Sequence, residues 1–276
     1  MNRIFVAYKP LFCSSNQFLS TLKKRDKVKK AGFSGILDPF ACGALVVAYG
    51  QYTKLFSFLP KTPKVYQATL WLGLQSDSLD IENIQHIHNI SPFKEEQIQK
   101  ILEKFTGEIE YTPPKFSAKK IQGKKAYELA REGKEVALKA QIMQVFKIKF
   151  LNYSHPFLTF RVWVSEGSYV RSLGDLIAKE LGTFGGLSYL ERLSEGGLCY
   201  EKERDLNPLA ILPFEKINLQ NNSNLREKML EGKKITQEEL KIYKDKKYIV
   251  YFEDFFSIIT NQNQSIQYCL NRIPLC

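Results

Sequence analysis

The sequence is poor in the residues that build metal centres and disulfide scaffolds. Only three of its 276 residues are histidine, and they lie in polar or proline-flanked segments where surface or turn positions are expected. The five cysteines form no CxxC pair and no paired framework; they are Cys13, Cys42, Cys199, Cys269 and Cys276. We therefore expect neither a metal site nor a disulfide scaffold, and a reducing compartment fits this composition best.

Long apolar runs and cofactor motifs are also missing. No run approaches the roughly 20 apolar residues that span a bilayer, and the N-terminus has no signal-peptide core. No nucleotide-cofactor motif, HExxH or Ser/His/Asp signature is present. The sequence thus predicts a cytoplasmic protein that needs no cofactor and contacts no membrane.

Positive charge is the unusual feature of the composition. Forty Lys and Arg against 29 Asp and Glu give a net charge of +11. Residues 23–30 carry six positive charges, and residues 115–139 carry eight against three Glu. Such a surplus favours a polyanionic partner, because binding releases the counterions of its phosphates. A merely basic, solvated surface is the alternative.

The residue pattern predicts strands interspersed with helices, and hence an α/β or α+β domain. Strands are expected at 4–8, 44–49, 65–72, 157–164 and 248–252. Helices are expected at 15–22, from a Ser91–Pro92 start to Gly107, and from about Arg171 to Gly182. Beyond about Pro213 the sequence becomes polar and lysine-rich, which indicates a boundary between residues 1–212 and 213–276.

Asp38 is the first candidate for chemistry. Gly35 permits an unusual backbone upstream, and Pro39 restricts Asp38 to extended dihedral angles. A carboxylate held in this way suits a nucleophile or a general base. The same pattern also describes an ordinary turn.

Arg171 and two tyrosines are the next candidates. Arg171 lies where a strand gives way to a helix, and it suits a carboxylate or phosphate partner as well as an ordinary surface position. Tyr66 and Tyr169 lie at strand ends and suit stacking on a base, although a core position is equally compatible with such aromatics.

Several motifs in the same order resemble one enzyme family, the TruB-type pseudouridine synthases. Residues 35–45, GILDPFACGAL, resemble the family's G-x-L-D-P-x-A-x-G-x-L motif. Other matching segments are YKP (8–10) with SSN (14–16), KVYQA (64–68) with LG (72–73), TPPKFSAK (112–119), GKKAY (123–127), SYVRSL (168–173) and YLERL (189–193). Phe33 replaces the histidine that many members carry, and Glu191 replaces an arginine.

The resemblance implies a fold and an activity. It implies an α+β catalytic domain with a mixed, mainly antiparallel sheet flanked by helices, followed by a small, reduced PUA-like RNA-binding module. The implied activity is isomerisation of uridine 55 in the T arm of tRNA to pseudouridine by base flipping, without a cofactor. The expected partner is tRNA, and a monomer with no protein partner is expected.

The resemblance also implies roles for single residues. Asp38 matches the nucleophile, Tyr66 the tyrosine that packs on the base and takes a sugar proton, and Arg171 the arginine paired with the aspartate. Tyr169 and Leu190 match residues of the uracil pocket; Lys9 and Phe33 are further expected substrate contacts. Two alternatives stay open, namely a non-catalytic RNA-binding or tRNA-folding protein and a hydrolase that uses Asp38 as base.

Overall fold

The computed structural model describes residues 1–117, 120–121, 124–125 and 138–275. The predicted GKKAY motif and most of the basic segment 115–139 lie outside the described residues, apart from short strands at 120–121 and 124–125. The helices are α1 (Ser15–Arg25), α2 (Glu95–Lys104), α3 (Val170–Glu180), α4 (Pro208–Ile211), α5 (Ser223–Glu231) and α6 (Gln237–Leu240), with a 3₁₀ helix at Gly50–Ser57.

The strands alternate with these helices along the chain. They are β1 (Arg3–Lys9), β2 (Ala31–Ser34), β3 (Cys42–Tyr49), β4 (Lys64–Leu72), β5 (Leu74–Ser76), β6 (Ile84–Ile87), β7 (Gly107–Tyr111), β8 (Lys120–Ile121), β9 (Lys124–Lys125), β10 (Gln141–Ser154), β11 (Phe157–Val164), β12 (Gly185–Glu195), β13 (Leu198–Cys199), β14 (Glu215–Asn218), β15 (Lys247–Tyr251), β16 (Phe255–Gln262) and β17 (Ser265–Pro274).

The described residues form a nine-stranded sheet with the path β1-β3-β12-β4-β11-β10-β7; β2 also pairs with β3, and β13 with β12. Its strand pairs are antiparallel except for the parallel contact of β3 with β12. The expected α+β fold with a mixed, mainly antiparallel sheet is confirmed.

Alternation along β4 separates the two faces of this sheet. Tyr66, Ala68 and Leu70 are buried with α2 and α3 in one hydrophobic core, as their spacing predicts. Near β1 and β3, α1 covers the same face of the sheet, and its Leu22 packs among residues of these two strands. Helices α2 and α3 therefore cover one face of the sheet where β4 lies.

Residues 215–274 form a second sheet of four strands, ordered β14-β15-β16-β17, within the described part of the chain. Ile249 and Ile258 of this sheet share a core with Val6 and Val46 of the main sheet. The change of composition near Pro213 thus precedes a distinct sheet that packs against β1 and β3.

One predicted helix start is wrong. Ser91–Pro92 lies outside any helix, and α2 begins at Glu95 with Lys94 as its N-cap residue. The reason is tertiary: Phe93 packs against the main core and its backbone N–H donates to the Tyr153 hydroxyl. A helical turn at Pro92 would move Phe93 away from both contacts.

Candidate active site

Asp38 lies in the loop between β2 and β3, and local contacts fix that loop. Gly35 has φ +65°, and a Cβ there would lie 2.8 Å from Nζ of Lys64. The Leu37 N–H donates to Oγ of Ser15, and that hydroxyl donates to the Leu37 carbonyl. The Ala41 N–H closes a turn on the Asp38 carbonyl at 3.1 Å. The carboxylate is therefore held in place by its own loop.

Lys9 holds this loop through hydrogen bonds from its ammonium group. Its ammonium is fully buried and donates to the carbonyls of Cys13 and Ala41 at 2.6 Å and of Pro10 at 2.9 Å, with Pro39 at 3.4 Å. Burial lowers the pKa of Lys9. The structure thus gives Lys9 a role in holding the loop, because its ammonium donates to loop carbonyls. Contact of Lys9 with substrate stays a prediction.

Arg171, in the first turn of α3, joins Asp38 to the rest of the site. Its Nε lies 3.0 Å from Oδ2 of Asp38, so the two residues that the motifs predict to pair are in contact. Its Nη1 donates to Oδ2 of Asp80 at 3.0 Å and to the Ser78 carbonyl at 2.8 Å, and Nη2 donates to the Phe116 carbonyl at 2.9 Å. Three hydrogen bonds and the ion pair with Asp38 thus hold one buried guanidinium in place.

Asp80 is a site residue that the sequence analysis missed. It is 1% exposed, and Oδ1 accepts from Oγ of Ser78 at 2.5 Å and from the Glu82 N–H at 2.9 Å. Burial raises the pKa of Asp80, while Arg171 opposes that rise. The available signal was the hydroxyl-rich stretch from Ser76 to Asp80, which is typical of a loop but can also surround a buried carboxylate.

A cavity of about 320 Å³ opens beside Asp38. Tyr66, Tyr169 and Leu190 line it together with Lys64 and Arg171. For comparison, an engineered apolar cavity of about 150 Å³ accepts benzene. The cavity therefore has room for a pyrimidine base and part of its sugar, and its lining combines aromatic and apolar side chains with the Asp38 carboxylate.

Arg192 on β12 lies next to the cavity-lining Tyr66. Tyr66 and Arg192 are cross-strand neighbours, and burial raises the pKa of Tyr66 while the positive charge of Arg192 opposes that rise. Arg192 also donates to the carbonyls of Ala44 and Gly35, and lies 3.6 Å from the Glu195 carboxylate. Arg192 therefore links the tyrosine to the loop that carries Asp38.

Two sequence-predicted features are placed away from the cavity. Phe33 packs against the α1 core and does not line the cavity, because β2 directs it toward that helix. Glu191 lies on the opposite face of β12 and accepts hydrogen bonds from Tyr8 at 3.0 Å and Tyr189 at 2.9 Å.

Membrane spans and metal-binding clusters are both absent from the described residues. No described helix is long and apolar enough to cross a membrane. Nor does the described part of the chain bring together three or more His, Cys, Asp or Glu side chains suited to a metal ion.

The fold matches known structures. Cbf5 in the crystal structure of a Cbf5–Nop10–Gar1 complex superimposes with a TM-score of 0.70, covering 98% of this chain and 84% of that one. Sequence identity is 18%, so this likeness concerns the fold alone. The chain therefore has the fold of the chain in that pseudouridine-synthase complex.

Sequence relatives give the family. A model described as TruB family pseudouridylate synthase (N terminal domain) matches residues 23–170, more than half of the chain. A tRNA pseudouridine synthase B from a Nitratiruptor species is 52% identical, covering 99% of this chain and 98% of that protein. One of the same name from Campylobacter jejuni (strain 81116 / NCTC 11828) is 51% identical over all of both chains. The chain belongs to the TruB family.

Proposed function

We propose that this enzyme isomerises uridine 55 in the T arm of tRNA to pseudouridine. The observation that carries the proposal is the contact of Arg171 with Asp38 in the lining of a base-sized cavity that Tyr66 and Tyr169 also line. The name tRNA pseudouridine synthase B, which its close relatives bear, supports tRNA as the substrate.

The reaction requires the target nucleotide to leave its stack, at a cost of a few kcal/mol. Aromatic walls at Tyr66 and Tyr169 offset part of that cost by packing on the base. The N1–C1′ bond then breaks, the uracil turns, and a C5–C1′ bond forms, while C5 loses a proton and N1 gains one. Atoms and electrons balance without an oxidant or a second substrate.

Two routes through this reaction are compatible with the site. In the first, the Asp38 carboxylate adds to C1′ and is displaced again by C5. In the second, Asp38 stabilises the cationic sugar, Tyr66 takes the C2′ proton to give a glycal, and the proton returns as C5 adds. Arg171 aims the carboxylate in both, because its other donors are fixed by Asp80 and by backbone carbonyls.

The phosphate contacts belong to other parts of the surface. Exposed lysines follow α1 at Lys27, Lys29 and Lys30, whereas Arg25 is already paired with Asp26 and Glu203. We further propose that residues 1–212 form the catalytic domain and residues 213–276 a reduced PUA-like module that binds RNA. The proposed enzyme acts as a monomer in the cytoplasm.

The decisive experiment maps pseudouridine in unmodified tRNA after incubation with wild type, Asp38→Asn and Asp38→Ala. Both variants are expected to form no pseudouridine while retaining most tRNA affinity, because phosphate contacts supply most of the binding. Asp77→Asn, an exposed carboxylate change, is the matched control. Product from Asp38→Ala would refute the nucleophile, and wild type that binds but never modifies tRNA would favour the RNA-folding alternative.

A further inference from the structure

The face of β12, β4, β11 and β10 that points away from the active-site cavity is built from aromatic, hydroxyl and basic side chains. We call it the open face. Its members are Gln67, Thr69, Trp71, Lys147, Lys149, Phe157, Thr159, Arg161, Trp163, Tyr189 and Glu191. Each is half-buried or exposed.

No described helix covers this face. Within residues 1–117 and 138–275, its aromatic side chains belong to none of the hydrophobic cores. Helix α3 packs on the other side of the sheet, where Gly174 approaches Leu70 and Leu187. The described chain thus leaves a twisted, four-strand surface in contact with solvent.

Aromatic rings lie at both ends of β11 on this face. Phe157 is 37% exposed and its ring centroid lies 5.3 Å from that of Trp71, its cross-strand neighbour. At the other end, Nζ of Lys147 lies 5.3 Å from the centre of the Trp163 ring. Six residue steps separate Phe157 from Trp163, or about 20 Å of strand. That span accommodates several nucleotides of an extended strand.

A polar strip runs between the aromatic ends. The hydroxyls of Thr69 and Thr159 share a hydrogen bond of 3.1 Å, and Nη2 of Arg161 donates to Oε1 of Gln67 at 3.1 Å. Protein–protein interfaces instead have an apolar centre depleted in charge. The strip therefore suits a polar ligand better than a second protein surface.

The charges on the open face are mostly positive. Lys147, Lys149 and Arg161 are adjacent on β10 and β11. The single carboxylate, Glu191, already accepts hydrogen bonds from two tyrosine hydroxyls. Cations beside aromatic rings are the combination that binds single-stranded nucleic acid, since phosphates meet the cations while bases stack on the rings.

We propose that the open face is a second RNA-binding site, which takes unpaired RNA by stacking bases on Trp71, Phe157 and Trp163. Lys147 and Lys149 neutralise the adjoining phosphates. Because this surface and the Asp38 cavity lie on opposite faces of the sheet, RNA bound here leaves the cavity free. The site is separate from the one that carries the proposed isomerisation.

The chain offers a direct probe, because its only two tryptophans are Trp71 and Trp163. Tryptophan emission is titrated with a single-stranded RNA of about ten nucleotides that lacks any T-arm sequence. We expect quenching at low salt that weakens as salt rises from about 50 to about 200 mM. Trp71→Phe and Trp163→Phe assign the signal to each end of the face.

Affinity variants test the stacking and the cations separately. The first variant is Phe157→Ala, and the second combines Lys147→Gln with Lys149→Gln. We expect each to weaken oligonucleotide binding at least about fivefold. The matched control combines Lys94→Gln with Lys100→Gln. Both lysines are exposed, one at the start of α2 and one within it, and this variant should bind as wild type. Pseudouridine formation in a T-arm stem-loop should stay unchanged in all of them.

Three results would overturn the proposal. The first is tryptophan emission that does not respond to the oligonucleotide at low salt. The second is binding that the open-face variants leave unchanged or that a T-arm stem-loop displaces. The third is an emission change that follows protein concentration without RNA, because it would assign the face to a second copy of the chain.

Discussion

Asp80 Oδ2 lies 3.0 Å from Nη1 of Arg171, and both side chains are almost fully buried. This pair comes from a loop between β5 and β6 and from the first turn of α3, and neither partner belongs to the loop that carries Asp38. The guanidinium is therefore already oriented when it meets Asp38, so little reorganisation is needed at the reacting centre.

Removing the Asp80 charge tests this orientation. Asp80→Asn leaves the buried Arg171 without one carboxylate, and loss of one partner of a buried pair costs about 3–5 kcal/mol. We expect a lower free energy of unfolding in urea and a lower kcat with KM little changed. Asp77→Asn, exposed in the same loop, should match wild type in both. An Asp80→Asn enzyme with normal kcat would contradict a positioning role.

Tyr66→Phe tests proton transfer on the glycal route. A positioned general base contributes a factor of about 10²–10⁴ to the rate. We therefore expect the single-turnover rate of pseudouridine formation to fall by that factor, while RNA affinity is retained. Because burial raises the pKa of Tyr66, its phenol is protonated near neutrality, and the wild-type rate should rise with pH. Tyr189→Phe, on the open face, is the control. A pH-independent rate that Tyr66→Phe does not lower would exclude this role.

Lys9→Met tests the support of the catalytic loop. The substitution keeps the bulk of the side chain but leaves buried carbonyls at Pro10, Cys13 and Ala41 without their donor. We expect a free energy of unfolding lower by at least about 3 kcal/mol, because bonds to charged donors contribute about 1.5–3 kcal/mol each and several are lost. Urea unfolding measures it, with the exposed Lys100→Met as control. An unchanged free energy of unfolding would show that the hydrogen bonds from Lys9 to the loop carbonyls do not stabilise the fold.

Asp26 predicts an acid-dependent loss of stability. Hydrogen bonds from Arg25 and Tyr49 lower the pKa of Asp26 to about 2 from 3.8. Because the pKa of Asp26 is lower in the folded state, the ionised carboxylate stabilises the fold at pH values above its ordinary pKa. That stabilisation disappears as pH falls from about 4 to about 2. Asp26→Asn should therefore be less stable by about 1 kcal/mol near neutrality and equal wild type near pH 2. The control is Asp254→Asn, which removes an exposed ion pair with Arg226. Its stability difference from wild type should not depend on pH in this way.

Local pattern predicted some elements well and others poorly. Strand β11 occupies the predicted residues 157–164, and β4 differs by one residue, because period-two alternation is strong in both. The long strand β10 was not predicted, since the extra residue Phe146 breaks its alternation where the register shifts between Val145 and Lys147. The expected start of α2 at Ser91–Pro92 failed because the packing of Phe93 outweighed the local capping signal.

The sequence by itself determined the motifs, the family and the identities of Asp38, Tyr66 and Arg171, because each is encoded in a short run of residues. Only the tertiary structure decided that Asp80 completes the site, that Lys9 is enclosed by carbonyls and that both tryptophans share one open face. Those facts depend on strand order, register and loop packing across the whole chain, and such long-range contacts leave no mark on the residues next to each position.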